Sequence, residues 1–245
     1  HSLGDLNNDG IPDMVIASYS FSGIDTAGKA YVISGADGSD LYPPINDPTV
    51  GYTDSFYGTS IGGGGDVDGD GYSDFTVGAQ GADAVFVYSG RTGSLIQQIN
   101  GEVGSAFGGC CGNLSLEGDV TGDGGVDLIV PAPAATPNGN VRAGSVFIYS
   151  YNGSSFDLVQ RIDGQNAGDK LSGFTPCYCG GISAEGDFNG DGIRELIIGA
   201  PHVNANAGSV YVYSGTTVSA DIAISSTGGD IDDTSVAFDG INYLA

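Results

Sequence analysis

Short apolar runs recur along the chain in pairs, and every pair has the same order. The first run of each pair spans five residues directly after an acidic loop, at residues 14–18, 75–79, 128–132 and 196–200. The second run starts with small residues and is rich in β-branched and aromatic side chains, at residues 28–34, 84–89, 144–150 and 208–214. Runs of this length and composition predict β-strands, because helices need longer runs of better helix formers.

Turn signals and a more polar run complete each unit. The turns lie at residues 35–38, 90–93, 152–153 and 215–217, and their Asn-Gly or paired glycines favour hairpins because they tolerate positive φ. The polar runs at residues 94–99 and 158–162 predict a third, partly exposed strand. An aromatic residue with small neighbours then precedes the next acidic loop, at residues 56–58, 107–109 and 174–176. We therefore expect four strands in each unit.

The acidic loops share one nine-residue pattern, at residues 5–13, 66–74, 119–127 and 187–195. Oxygen-bearing side chains occupy positions 1, 3, 5 and 9, and glycine at position 6 permits a sharp bend. With the backbone carbonyl of position 7, such a loop offers the oxygens that a hard cation such as calcium gathers. The predicted metal ligands are Asp5, Asn7, Asp9, Ile11, Asp13, Asp66, Asp68, Asp70, Tyr72, Asp74, Asp119, Thr121, Asp123, Gly125, Asp127, Asp187, Asn189, Asp191, Ile193 and Glu195.

The charge balance supports cation binding. The chain carries 30 Asp and Glu against 6 Lys and Arg, a formal net charge of -24. Carboxylates held a few ångström apart repel by about 1 kcal/mol per pair in water and about 4 kcal/mol near a protein surface, and a bound cation reverses that sign. The alternative is four solvated turns whose Asp side chains cap backbone groups. So negative a chain is not expected to bind nucleic acid. Membrane insertion is not expected either, because no apolar run approaches the eighteen residues of a spanning helix.

The spacing of the loops predicts four repeats in one domain. Their first aspartates, Asp5, Asp66, Asp119 and Asp187, lie 61, 53 and 68 residues apart. Repeats of four short strands about every sixty residues are typical of β-propeller blades. We expect an all-β propeller over residues 1–245, with blade 1 at residues 1–52 completed by 233–245, blade 2 at 53–103, blade 3 at 104–170 and blade 4 at 171–232.

These units resemble the FG-GAP repeat of the integrin α-subunit head. Phe107-Gly108 matches the first half of the repeat's name and residues 199–201 match the second, with degenerate copies at 131–133 and 78–80. The resemblance implies four-stranded blades, a calcium hairpin between the first two strands of each, and protein or glycan binding through variable loops. The longest such loops here are residues 132–142 and 201–207.

Two features depart from that family pattern. Such repeats usually build about seven blades, whereas this chain has four acidic loops. Thr121 replaces an acidic or amide ligand in the third loop and Glu195 replaces the terminal aspartate in the fourth, so we expect up to four Ca²⁺ ions with the third site weakest.

The two termini suggest how the array continues. Residues 235–245 resemble the opening of a blade that lacks its acidic loop, and residues 1–5 resemble the missing remainder. The ends can meet within one molecule, which closes the ring and hides its edges. They can instead meet between molecules and build a head-to-tail fibre, or the chain can be one part of a longer array.

Four cysteines occupy related places before the third and fourth loops. Cys111 and Cys179 each lie eight residues before a first aspartate, and Cys110 and Cys177 lie beside them. Adjacent cysteines pair only with strain, so we expect disulfides between the two clusters. A zinc site of four thiolates and reduced buried thiols are the alternatives.

Two sequons and the calcium-type loops suggest an extracellular or cell-surface chain. Asn152 and Asn113 are candidate glycosylation sites, of which Asn152 is predicted to be accessible on a hairpin tip. The predicted function is a secreted calcium-binding adhesion or structural module, whose partner is an extracellular protein, a glycan or copies of itself. One alternative is a subunit of an extracellular fibre.

Two further functions remain as alternatives. A lectin would stack sugars on Tyr57, Tyr72, Tyr178 or Tyr243, since the chain has no Trp. With only His1 and His202, no histidine stands beside an obvious nucleophile, so an enzyme is not expected. A polysaccharide lyase would draw its base from Lys29, Arg91, Arg142, Arg161, Lys170 or Arg194.

Overall fold

The chain is all-β in the computed structural model, which describes residues 3–19, 28–49, 54–109, 114–173, 181–203, 208–214, 219–225, 237–238 and 243–244. The strands are β1 Met14–Ser18, β2 Lys29–Ile33, β3 Ile45–Asn46, β4 Tyr57–Gly63, β5 Phe75–Ala79, β6 Ala84–Tyr88, β7 Leu95–Asn100, β8 Ser115–Gly118, β9 Asp127–Ala132, β10 Ser145–Tyr151, β11 Phe156–Asp163, β12 Ile182–Gly186, β13 Glu195–Ala200, β14 Ser209–Ser214, β15 Ser219–Ser225, β16 Ala237–Phe238 and β17 Tyr243–Leu244. Single 3₁₀ turns occur at Gln80–Ala82 and Pro137–Gly139. Among the described residues, no helix has the length and apolar character needed to cross a membrane.

Consecutive strands form four antiparallel sheets. Sheet 1 has the order β1-β2-β3, sheet 2 β4-β5-β6-β7, sheet 3 β8-β9-β10-β11 and sheet 4 β12-β13-β14-β15, while β16 pairs with β17. The paired apolar runs predicted from the sequence are the two middle strands of sheets 2 to 4 and the first two of sheet 1. The predicted polar outer strands are β7 and β11.

The sheets pack face to face in chain order through three apolar cores. The first core lies between sheets 1 and 2 and contains Val15, Val32 and Phe75. The second contains Val87, Leu128 and Phe147, and the third contains Ile148, Leu196 and Ile198. The first strands β4, β8 and β12 touch one another in turn, and β1 touches β4. Successive sheets stacked about their first strands are blades, so the architecture is that of a β-propeller.

The blade topology gives the described array two different faces. The acidic hairpins join the first strand of a blade to the second, and the glycine turns join the third to the fourth, so both lie on one face, the hairpin face. The connections between second and third strands, and those between blades, lie on the opposite face, the loop face. Metal-ligand candidates and variable loops are therefore separated by the length of a blade.

Sheet 1 differs from sheet 2 in how far the side chains of its apolar strand are exposed. Met14 and Ile16 are 41% and 51% exposed, whereas Phe75 and Val77 at the corresponding positions of β5 are fully buried. Within the described residues, β1 pairs with β2 alone. The prediction that residues 233–245 complete this blade falls almost entirely outside the described residues and stays a prediction.

Candidate metal centres

Each acidic hairpin is held by the same three sets of hydrogen bonds. The carboxylate at position 1 accepts from the backbone N–H of position 6, at 2.7 Å from Gly10 to Asp5 and 2.8 Å from Gly71 to Asp66. The carboxylate at position 5 accepts from the N–H of position 7, and the carboxylate at position 9 accepts from the N–H of position 2. The acidic side chains therefore hold each loop in its bend through hydrogen bonds from the backbone of that loop, independently of any cation.

Glycine at position 6 is required by the bend. The φ angles of Gly10, Gly71, Gly124 and Gly192 lie between 86° and 90°, a left-handed conformation that other residues adopt only with strain. The sequence prediction of a sharp bend at this position is confirmed in all four loops.

The second hairpin brings three carboxylates together. Oxygen atoms of Asp66, Asp68 and Asp74 all lie within 4.8 Å of one another. Burial, together with the negative charges of Asp70 and Asp66, raises the pKa of Asp68. Asp70 also lies 3.9 Å from the guanidinium of Arg91. In the absence of a cation the negative charges of these carboxylates repel one another. The side chains of the cluster offer only oxygen atoms as metal ligands.

The fourth hairpin forms the same kind of cluster with a longer side chain. Oxygen atoms of Asp187, Asp191 and Glu195 lie within 4.8 Å of one another. Glu195 is 2% exposed and accepts hydrogen bonds from the backbone of Phe188 at 2.5 Å and the side-chain amide of Asn189 at 2.9 Å. Glutamate at position 9 therefore reaches the place that aspartate takes in the other loops.

The third hairpin is built differently. Ser150, on the neighbouring strand β10, donates a hydrogen bond to the carboxylate of Asp123. This bond and the N–H of Gly125 lower the pKa of Asp123. Thr121 directs its hydroxyl toward Asp127, with the two oxygens 3.4 Å apart. Two of the predicted ligands here are thus hydrogen-bonded to protein side chains, and among the described residues this hairpin does not bring three acidic oxygens within 4.8 Å of one another.

The first hairpin also satisfies part of its ligand set internally. The amide nitrogen of Asn7 donates to Asp9 at 3.0 Å, and the amide oxygen of Asn7 accepts from the backbone of Asp9 at 2.9 Å. Asp13 is 1% exposed. The predicted ligands are neighbours here too, although among the described residues only the second and fourth hairpins place three acidic oxygens within 4.8 Å.

The carboxylate at position 9 has a structural role that the sequence pattern did not reveal. Asp74 accepts hydrogen bonds from Val67 at 2.8 Å and from Gly90 at 2.9 Å, and so joins the hairpin to the glycine turn beside it. Burial raises the pKa of Asp74 to about 6, although both N–H donors act in the opposite direction. Burial likewise raises the pKa of Asp127 to about 6. Asp13 repeats the arrangement with Leu6 and Gly35.

The residues present fit a hard divalent cation. The clusters consist of carboxylate oxygens without sulfur or imidazole, and such oxygens are the donors that calcium and magnesium prefer. Three acidic groups converge in each of two loops, and a divalent ion would remove their mutual repulsion. The backbone carbonyl of position 7 stays a predicted donor.

Several other predicted site residues lie outside the described residues. These are Cys110, Cys111, Cys177, Cys179, Asn113, Tyr178 and the segment 174–176. Asn152 is exposed on the turn between β10 and β11, as predicted, and its amide donates to Asp157 at 2.7 Å. Its glycosylation stays a prediction.

The aromatic residues predicted for a lectin do not form exposed platforms where the structure describes their side chains. Tyr57 is fully buried, and its hydroxyl donates to that of Tyr88 at 3.0 Å, so sugar stacking on Tyr57 is a wrong prediction. Tyr57 is buried because it begins β4 inside the first core. Tyr72 lies under the guanidinium of Arg91, 5.1 Å from the ring centre. For Tyr243 the structure gives the backbone alone, in β17.

The basic residues considered for a lyase are spread over both faces. Arg91 and Arg194 lie on the hairpin face, where Arg194 donates to the carbonyl of Glu185 at 3.1 Å. Arg161 forms salt bridges with Glu102 and Asp163 between sheets 2 and 3. Lys170 lies 3.4 Å from His202 on the loop face, and burial followed by the charge of Arg142 lowers the pKa of Lys170. Arg91 lies beside the second hairpin and Arg194 within the fourth, so these basic residues do not converge on one site.

Sequence reasoning placed blade 4 at residues 171–232 but did not identify Leu171 and Ser172 as its opening pair. Gly108 donates to the carbonyl of Pro131 at 3.0 Å, and Ser172 donates to the equivalent Gly199 carbonyl at 2.8 Å. Leu171 and Ser172 therefore occupy the place of Phe107 and Gly108, and Ser172 holds a φ of 68°. Neither residue type matches the aromatic-glycine signal. The preceding left-handed residue, Lys170 at φ 53° and Ala106 at 56°, is the shared feature, and it is not visible in sequence.

Comparison with known proteins identifies FG-GAP repeats in three parts of the chain. The family model described as "FG-GAP repeat" matches residues 2–33, 57–95 and 181–213. Rat phosphatidylinositol-glycan-specific phospholipase D is 34% identical over 43% of this chain and 13% of its own length. Integrin alpha-5 of Xenopus laevis is 40% identical over 37% and 9%, and integrin alpha-V of Gallus gallus 29% identical over 68% and 16%. The chain therefore spans a small part of these relatives.

A solved structure and the repeat positions complete the comparison. The structure described as "Structure of Dos1 propeller" aligns with 98% of this chain and 55% of that chain, at 14% identity and a TM-score of 0.49. The three family matches contain the first, second and fourth acidic hairpins, and sheet 3 repeats their strand order with Thr121 in its hairpin. The chain therefore contains FG-GAP repeats.

Proposed function

We propose that this chain is an extracellular, calcium-binding interaction module, in which cations in the acidic hairpins stabilise the blades and the loop face contacts a protein or glycan. The observation that carries the proposal is the convergence of Asp66, Asp68 and Asp74, repeated by Asp187, Asp191 and Glu195. A chain of net charge -24 gains folding stability when these groups share a cation.

The ligand set is the four oxygen-bearing side chains of each hairpin with the position 7 carbonyl. A bound calcium ion supplies positive charge that draws the carboxylates together. The protein contributes the N–H bonds that hold the position 1, 5 and 9 carboxylates in place. Because position 9 is also bonded to the glycine turn, a cation would stiffen both connections of the hairpin face.

The loop face is the proposed contact surface. The names of the relatives include integrin alpha chains, which supports a role in interaction and a location at or outside the cell surface. The loop after β9 is partly ordered by its own bonds, with Asn140 donating to Pro137 at 2.8 Å and Ala143 to Asn140 at 3.1 Å. The phospholipase D among the relatives is matched over 13% of its length, so catalysis is not part of the proposal.

Thermal unfolding in three buffers tests the cation requirement. The free energy of unfolding should be highest in calcium, lower in magnesium and lowest in chelator, because the open loops suit a larger, flexible coordination sphere. At one hundred times its dissociation constant, one site adds about 2.7 kcal/mol. Equal melting temperatures in saturating calcium and in chelator would contradict the proposal.

A second candidate function, a self-assembling subunit, is favoured by the exposed side of sheet 1. Met14 and Ile16, both on β1, are 41% and 51% exposed. Exposed apolar patches are where another copy of a chain can pack. Size-exclusion chromatography should then show concentration-dependent assembly that Ile16→Lys abolishes. Val159→Lys, at a valine that is 54% exposed on β11, is the matched control and should leave assembly unchanged.

A further inference from the structure

A cavity of about 260 Å³ opens on the loop face between sheets 3 and 4. Its apolar side is formed by Leu171, Tyr211 and Tyr213, and its polar side by Asp163 and Asp169. Nothing in the acidic-hairpin pattern points to it, and it lies at the opposite end of the blades from the candidate metal centres.

The cavity exists because one aromatic ring is missing. Phe86, Phe147 and Tyr211 occupy the same register in their sheets, opposite Val77, Val130 and Ile198. In sheet 2 the ring of Tyr57 fills the space against Phe86 at 5.8 Å, and in sheet 3 Phe107 fills it against Phe147 at 5.4 Å.

In sheet 4 the corresponding residue is Leu171, which is smaller. The tyrosines that would contact a ring there line the cavity instead. Their own rings are 6.5 Å apart and tilted by 37°. A second difference lies on the outer strand of each sheet. In sheet 3, Arg161 stands opposite Phe147 in register and its guanidinium lies 5.0 Å from the centre of that ring. In sheet 4, Ala223 stands opposite Tyr211.

On the polar side of the cavity, two carboxylates are each held by hydrogen bonds through one oxygen, and the other oxygen keeps its capacity to accept. Asp169 is 8% exposed and accepts through Oδ2 from the backbone of Gln165 and Asn166, at 3.1 and 2.7 Å. Asp163 accepts through Oδ1 from Ser145 and Arg161. Within the described part of the chain, Asp163 Oδ2 and Asp169 Oδ1 accept no hydrogen bond. The hydroxyl of Tyr213, a residue that is 8% exposed, also has no partner among the described residues.

We infer that this cavity binds a single neutral hexose unit of a saccharide. The carbon-bound hydrogens of a sugar face pack against the electron-rich face of an aromatic ring, and Tyr211 and Tyr213 supply two such rings. Sugar hydroxyls donate to fixed carboxylate oxygens, which Asp163 and Asp169 supply. A cavity below the usual range for drug-sized ligands suits one ring rather than a chain.

The charge of the cavity selects among sugars. Two carboxylates in a chain of net charge -24 disfavour uronic acids, sialic acids and phosphates. The charge of Asp163 is already shared with Arg161, and Asp169 is bonded to two backbone N–H groups, so both serve as acceptors for neutral hydroxyls. The inference rests on the proposed interaction role, for which it names a ligand, but not on the cations.

Ligand-detected NMR and calorimetry with simple sugars test the inference. The calcium-loaded chain is titrated with the methyl glycosides of glucose, galactose, mannose and N-acetylglucosamine, and with glucuronate. At least one neutral glycoside should bind and glucuronate should not. Comparing that glycoside with an oligosaccharide ending in the same hexose separates a free sugar from a glycan terminus as the source.

Two variants locate the binding. Leu171→Phe restores the ring found in sheets 2 and 3, so it should keep the melting temperature and weaken sugar binding at least tenfold. Tyr211→Ala should weaken it to a similar extent, whereas Tyr31→Ala, at the equivalent position of β2, should leave it unchanged.

Three results would overturn the inference. They are the absence of binding to every neutral glycoside, binding that survives Leu171→Phe, and binding of methylguanidinium or butylamine in place of sugars. Calcium binding measured on the same sample keeps a failure of this inference distinct from a failure of the proposed function.

Discussion

The second and third acidic hairpins share a spacing but differ in what their side chains do. In the second, Asp66, Asp68 and Asp74 bring their oxygens within 4.8 Å of one another. In the third, Thr121 stands at the position of Asp68, and Ser150 donates a hydrogen bond to Asp123. The comparison teaches that the loop backbone is specified by the repeated glycine and carboxylates. We expect cation affinity to depend in addition on whether neighbouring groups already bond to those carboxylates.

Removing a central ligand from the second hairpin should have the largest effect. Asp68→Ala deletes one of the three converging carboxylates, so we expect the calcium-dependent part of the free energy of unfolding to fall by about 2.7 kcal/mol at one hundred times the dissociation constant. Chemical denaturation with and without calcium measures this difference.

The equivalent change in the third hairpin is the matched control. Thr121→Ala should alter the calcium-dependent stability by less than a quarter of that amount, because Thr121 faces Asp127. Equal losses from the two variants would show that both loops bind cations alike and would remove the distinction drawn between them.

Proton uptake at position 9 should have a smaller effect and should be common to both hairpins. Burial raises the pKa of Asp74 and of Asp127 to about 6, above an unfolded value of about 3.9. The folded state therefore binds more protons between these values, and stability is lost as pH rises through 6. In calcium-free buffer the free energy of unfolding should be about 1 kcal/mol per group higher at pH 5 than at pH 7.

Asp74→Asn separates this effect from the general relief of negative charge. The variant should lose about one group's share of the gain measured by urea denaturation at the two pH values. If the variant and the parent chain respond equally to pH, Asp74 does not titrate in this range and the assignment fails.

The smallest expected effect concerns the hydroxyl that engages the third hairpin. Ser150→Ala frees the carboxylate of Asp123, so we expect the third site to bind calcium about two- to threefold more tightly, a change of a few tenths of a kcal/mol. Competition titration with a chromophoric chelator resolves a change of this size.

Ser89→Ala supplies the control for that change. Ser89 holds the equivalent place beside the second hairpin, where Asp70 lies near Arg91 instead. This variant should leave calcium affinity unchanged. A weaker third site in Ser150→Ala would mean that the serine hydroxyl supports cation binding rather than competing with it.

The middle strands of the blades could be predicted from sequence because composition and burial agree there. β1 and β5 begin and end where the apolar runs do, at Met14–Ser18 and Phe75–Ala79. A strand covered on both faces is apolar throughout, and every residue of β5 and β6 is buried. Local propensity and tertiary position therefore favour the same structure.

The first strands could not be predicted in detail because their composition is determined by the packing of neighbouring blades. β4 has the sequence Tyr-Gly-Thr-Ser-Ile-Gly-Gly, which is poor in strand formers. A side chain at Gly62 would place its Cβ 2.4 Å from the carbonyl oxygen of Leu114 in the next blade. Glycine is present because neighbouring blades meet there, and no window of local sequence contains that information.

The candidate site was predictable to the same limited degree. Spacing alone identified the four hairpins and the bend glycines, since all of their determinants lie within nine residues. The hydrogen bond from Ser150 to Asp123 joins residues 27 apart, and the cavity beside Leu171 depends on three separate strands and loops. The hydrogen bond and the cavity could not be predicted, because each depends on which blades and strands become neighbours in the folded chain.

The number of calcium ions bound per chain tests the central claim most directly. Calorimetric titration of metal-free protein at neutral pH, with Asp68→Ala in parallel, should give at least two ions for the parent chain and one fewer for the variant. Those two ions correspond to the clusters of the second and fourth hairpins. A folded chain that binds no calcium at millimolar concentration, or a variant that binds as many ions as the parent, would contradict the account.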